Sequence, residues 1–136
     1  MKKRLIVLLL MLVLSSDRYV EATGLVFSNA TDCGSGWKQS AWFGHFYDIS
    51  PWVYHSEHGW LYVVGNSSTN VYMWSAYGGW WWTAQTVYPF FYSFDEQSWL
   101  FYYEGTKDPR GFYNFSTRQL EFDHEPGIGG IDDFGI

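Results

Sequence analysis

The chain has 136 residues, and its 14 acidic against 8 basic side chains give a formal net charge of −6, which argues against a phosphate backbone or an anionic membrane as partner. Aromatic residues make up 23% of it and charged residues only 16%, a balance that excludes a disordered chain and suits a domain built of pleated, packed surfaces. Its one cysteine, Cys33, forbids an internal disulfide and is expected to be an inert or buried thiol, so stability must come from buried aromatic surface or from association.

At the start, Lys2, Lys3 and Arg4 precede an unbroken apolar run over residues 5–14. That run is half the roughly twenty residues a membrane-crossing helix needs, and it has the outline of an export signal. Cleavage is expected after Ala22, giving a secreted, periplasmic or cell-surface product with no remaining membrane span. No cysteine follows the run directly, which disfavours a lipid anchor. Residues 1–22 hold four of the basic and two of the acidic side chains. Four basic and twelve acidic ones remain, so the mature chain would carry a net charge of −8. Residues 23–36 read as an N-terminal linker.

From residue 37 the chain repeats. Gly59-Trp60-Leu61-Tyr62 recurs as Gly79-Trp80-Trp81-Trp82, as Ser98-Trp99-Leu100-Phe101 and more faintly as Gln119-Leu120-Glu121-Phe122, in steps of 20, 19 and 21 residues. A second series, Tyr54, Trp74, Phe94 and Phe115, runs half a unit ahead, so each unit is two strands. Short polar stretches between the halves suit hairpin turns, and Gly, Asn and Pro mark the longer connections. Pro51-Trp52-Val53-Tyr54 and Pro89-Phe90-Phe91-Tyr92 add a double period of 38 residues. The expected strands are 42–47, 52–55, 60–64, 71–75, 80–83, 90–94, 99–104, 111–115 and 119–122. The expected fold is all-β, an antiparallel meander of tandem hairpins over 37–122. A rolled sheet, an open or closed barrel, a solenoid-like stack and a self-associating slab all remain open. Residues 123–136, acidic and Gly-rich, read as a flexible tail.

Period-two alternation puts Trp60 with Tyr62, Trp80 with Trp82 and Trp99 with Phe101 on one face, and Leu61 with Val63, Trp81, and Leu100 with Tyr102 on the other. Neither face is polar, so both must be covered or used. Flat rings suit the apolar faces of sugars and the charge of quaternary ammonium groups. The expected binding platform is therefore Trp52, Tyr54, Trp60, Tyr62, Trp74, Trp80, Trp82 and Trp99. The competing reading of any one of these rings is as core.

No constellation for chemistry stands out, and neither an enzyme nor a cofactor is expected. His55-Ser56-Glu57-His58 lies on an expected turn, lacks the helical spacing of a zinc hydrolase and reads as solvated, so no metal site is expected. Glu57 and Glu104 carry no specific signal of a paired-carboxylate centre. No phosphate-cradling loop or nucleophile elbow appears.

The Gly-Trp-x-aromatic cores at twenty-residue spacing resemble the choline-binding and glucan-binding hairpin repeats of bacterial surface proteins. More closely, the string from Pro51 to Thr83 followed by Pro89 to Tyr113 is similar to an aromatic-rich module at the C-termini of exported Gram-negative proteins. The first resemblance implies non-catalytic attachment to a cell-wall or glucan polymer through aromatics of adjacent hairpins; the second implies export and no particular activity. The function expected is thus a secreted binding module for envelope or extracellular polysaccharide. The alternative is a structural, self-assembling surface protein with the same rings buried between subunits.

Overall fold

The computed structural model of the chain describes residues 26–123. The export segment and residues 124–136 of the tail lie outside the described residues. Eleven strands form one antiparallel sheet in strict chain order: β1 (Thr31–Gly34), β2 (Trp37–Ser40), β3 (Gly44–Ile49), β4 (Trp52–His55), β5 (Gly59–Val64), β6 (Asn70–Ser75), β7 (Gly79–Ala84), β8 (Phe90–Ser93), β9 (Ser98–Tyr102), β10 (Arg110–Asn114) and β11 (Gln119–Asp123). Short connections force each strand to pair with the next, which is the expected meander. Among the described residues the sheet does not close, since β1 and β11 each pair on one side only. Strand β1 falls in the segment read from sequence as a linker, and β2 opens at Trp37, ahead of the first expected strand. Cys33, expected to be inert or buried, is exposed on β1 rather than buried, because all four residues of that edge strand lie outside the core.

Five hairpin turns share one local device. The last residue of the first strand is a buried polar group, at Ser40, His55, Ser75, Ser93 and Asn114. Its side chain accepts a backbone N–H from within the turn: Phe43 at 3.2 Å on Ser40 Oγ, Gly78 at 2.9 Å on Ser75 Oγ, Glu96 at 3.2 Å on Ser93 Oγ, and Ser116 at 2.9 Å on Asn114 Oδ1. Four residues after the acceptor the chain turns left-handed, at Gly44, Gly59, Gly79, Gln97 and Arg118. A side-chain acceptor that replaces a backbone one is what favours Ser and Asn at turns. Gly79 meets a second demand, because an added Cβ would lie 2.1 Å from Asp95 Oδ2 on the neighbouring turn.

One face of the sheet holds the core. Phe46, Val53, Leu61, Val63, Val71, Met73, Trp81, Phe91, Leu100, Tyr102 and Phe112 are buried on it, joined by Phe43 and by Val26 and Phe27 ahead of β1. In a flat sheet β4 and β10 would stand about 29 Å apart, six spacings of about 4.8 Å. Yet Arg110 Nε donates to the Glu57 carbonyl at 2.8 Å, just beyond the end of β4. The sheet therefore coils until its concave face closes over one core. Ring contacts such as Trp81 with Phe112, 5.3 Å between centroids, fill that space.

Candidate functional site

Burying one face leaves the other in solvent, and the sequence places an aromatic at nearly every outward position. Strand pairing carries these rings from strand to strand. Trp52 stands opposite Tyr62, Tyr62 opposite Trp74, and Trp74 opposite Trp80, while Tyr54 faces Trp60. A parallel row runs from Tyr72 through Trp82 and Tyr92 to Trp99. All eight residues of the expected platform lie on this outer face. Trp52, Tyr54, Trp60, Trp80 and Trp99 are exposed, and Tyr62, Trp74 and Trp82 are half-buried between them.

Four of the eight come together. Trp52, Tyr62, Trp74 and Trp80 line a groove of about 240 Å³ with no other side chain in its wall. Their rings lock edge to face: Trp52 and Tyr62 at 5.4 Å and 76°, Trp52 and Trp74 at 6.2 Å and 85°, Tyr62 and Trp80 at 6.4 Å and 87°. Perpendicular packing is the favoured geometry for aromatic quadrupoles, and it fixes the walls before any ligand arrives. Tyr54 and Trp60 form a separate pair at 5.2 Å, and Trp82 meets Trp99 at 6.2 Å further along. The same face carries Trp37, Phe90, Phe101 and Phe115, which were not in the expected platform. Trp37 packs on Tyr47 at 5.8 Å, and Phe90 on Phe101 at 5.0 Å and on Phe115 at 6.0 Å. Strand parity was the available signal for Phe90 and Phe101.

The turn His55 to His58 differs from its expectation. Its histidines are not solvated: His55 is 1% exposed and His58 0%. His55 is the polar cap of its hairpin. Its Nε2 donates to the Phe43 carbonyl at 2.6 Å, and its Nδ1 accepts the N–H groups of Glu57 and His58 at 3.1 and 3.2 Å. With both ring nitrogens so engaged the imidazole is neutral. Burial pulls it from an ordinary 6.5 down to about 4, against the opposing pull of the Phe43 carbonyl and the Glu57 charge. His58 stacks on His55 at 4.6 Å and lies in the core against Tyr102 and Phe91. Burial first, then His55 and Arg110, hold its imidazole well below the usual range. Arg110 sits with its guanidinium carbon 4.6 Å from the Tyr77 ring centroid, and the Tyr77 hydroxyl donates to the His58 carbonyl at 2.9 Å. The coil of the sheet, invisible in the local sequence, carries this turn inside.

Among the described residues no three His, Cys, Asp or Glu side chains gather as metal ligands, and no helix is long and apolar enough to cross a membrane. Comparison of the chain with family models, curated proteins and solved structures returned no match.

Proposed function

We propose that the protein is a non-catalytic binding module for envelope or extracellular polysaccharide, exported by its N-terminal segment and held to its ligand by the outer aromatic face. The observation that carries this reading is the groove of Trp52, Tyr62, Trp74 and Trp80. The core cluster lies on the other face and contains none of these four rings. An exposed aromatic patch of this extent marks an interaction surface. Pre-set rings favour a flexible sugar chain by stacking on its apolar faces without first paying an ordering cost. The resemblance to glucan-binding hairpin repeats points the same way.

The test is a titration of Trp fluorescence with peptidoglycan fragments and soluble glucans. A saturable change lost in Trp80→Ala, with the far-UV spectrum intact, supports the reading. No change with any polymer turns the argument to self-assembly. That second reading is favoured by β11, which among the described residues is paired on one side only, with Leu120 50% and Phe122 56% exposed. Concentration-dependent sedimentation, with Trp emission shifting to the blue on association, is its signature.

A further inference from the structure

A second cavity shares no residue with the aromatic groove. It is a cleft of about 270 Å³ where the β2–β3 and β4–β5 turns meet Tyr88, ahead of β8, and Glu104, behind β9. Four segments distant in the chain are needed to form it, and the coil of the sheet brings them together.

Its walls are fixed. Trp42 and Tyr88 stand edge to face at 6.1 Å and 73°. The Trp42 indole N–H donates to the Ser68 carbonyl at 3.0 Å, and the Tyr88 hydroxyl meets His58 Nε2 at 3.2 Å. Both rings are half-buried and cannot swing away without losing those partners. Two carboxylates, Glu57 and Glu104, and the imidazole of His45 line the same cleft, with no lysine or arginine in its lining, and Glu57 Oε2 accepts the Gly105 N–H at 3.3 Å. Both carboxylates sit close enough to help burial raise the Tyr88 hydroxyl well above its ordinary 10. His55, also in the lining, is held neutral by the hydrogen bonds and burial described above. Arg110, whose charge also acts on His55, donates to the Glu57 carbonyl and lies over the Tyr77 ring. Gln39 and Ser56 add neutral hydrogen-bonding groups.

A cleft with two negative charges calls for a cation, and its aromatic walls call for one on an organic body. Amide and hydroxyl groups in the same wall call for hydroxyls on that body. We propose that this cleft binds a protonated amine carried on a hydroxylated ring, the chemistry of an amino-sugar unit, with Glu57 and Glu104 facing the ammonium group and Trp42 and Tyr88 flanking the ring. The site stands apart from the outer face and needs none of its rings.

The test is isothermal titration calorimetry of the full chain at low salt with three probes: the trimer of glucosamine, the trimer of N-acetylglucosamine, and 1,4-diaminobutane. The glucosamine trimer is expected to bind at least about ten-fold more tightly than either other probe, the loss of one charge-assisted contact being worth about that factor. Glu104→Gln, a change at an exposed residue, is expected to weaken it by about ten-fold or more, and Trp80→Ala to leave it unchanged. Glu57→Gln repeats the charge test at the second carboxylate. Equal binding of the acetylated trimer or the diamine overturns the proposal, as does full affinity in Glu104→Gln and Glu57→Gln, or no saturable binding up to about 10 mM. Loss of binding in Trp80→Ala alone also overturns it, and moves the amino sugar to the outer face.

Discussion

Acidification should unfold this protein from the inside, through the buried histidines of the β4–β5 turn. In the folded chain His55 stays neutral down to about 4, whereas in the unfolded chain it takes up a proton near 6.5. Its folded value is depressed, so the stabilisation it carries is fully present above 6.5 and is lost as the pH falls toward 4. Between those values the unfolded state binds one more proton than the folded state, which removes about 1.4 kcal/mol per pH unit and about 3 kcal/mol in all. His58, held well below the usual range by burial, His55 and Arg110, adds a loss of the same sign that sets in at the same pH. The His55 share alone is a large fraction of the stability of an ordinary small domain, about 5–15 kcal/mol. Burial raises Asp48, but hydrogen bonds from Lys38 and Ser50 and the Lys38 charge together hold it below 3.8, so its stabilisation is fully present above that value and is lost only in more acid solution, and the two effects separate. Urea unfolding followed by Trp fluorescence at pH 7.5, 6.5, 5.5 and 4.5 measures this directly. The midpoint should hold steady down to about 6.5 and then fall steeply. His55→Ser keeps a turn acceptor of the kind at Ser75 and Ser93; it should cost about 2–3 kcal/mol at pH 7.5 through the cavity left, and should flatten the slope below 6.5. A wild-type midpoint that does not move between 7.5 and 4.5, or a His55→Ser slope as steep as wild type, would refute the reasoning.

Neighbours on opposite faces should behave oppositely. Trp81→Ala removes a ring that is 0% exposed and should cost about 3–5 kcal/mol, whereas Trp80→Ala, 40% exposed one residue earlier, should cost about 1 kcal/mol by the same urea assay. Arg110→Ala gives up the bond to the Glu57 carbonyl and the contact with Tyr77 that hold the coil together. It should lower stability by about 2–3 kcal/mol and raise amide exchange in the 55–59 turn more than in β6 and β7. Gly79→Ala sets a Cβ at a left-handed position and against Asp95. The expected cost exceeds about 1 kcal/mol, and Asp95→Ala in the same chain should recover part of it, a coupling that thermal unfolding of the four variants can read.

The sequence by itself determined nine of the eleven strands, their meander order and their two faces, and missed β1 and β2. Trp60-Leu61-Tyr62 and Trp80-Trp81-Trp82 alternate, so period two alone assigns Leu61 and Trp81 to one side and the flanking rings to the other; the burial of each agrees. Expected and observed strands coincide at β4 and differ by a residue or two at most others, because Gly59, Gly79 and the prolines punctuate the chain locally. That the eight rings of the expected platform point outward was legible for the same reason, being fixed by parity. Curvature decided the rest. Nothing near residue 57 signals that Arg110 will reach it, so the burial of His55 and His58 and the cleft of Glu57 and Glu104 arise only when the sheet coils. Which four rings share a groove also awaited the register between neighbouring strands, which loop lengths constrain but do not state. Alternation is a property of adjacent residues and can be read along a chain. The coil sums small twists over eleven strands, and only the tertiary structure adds them up.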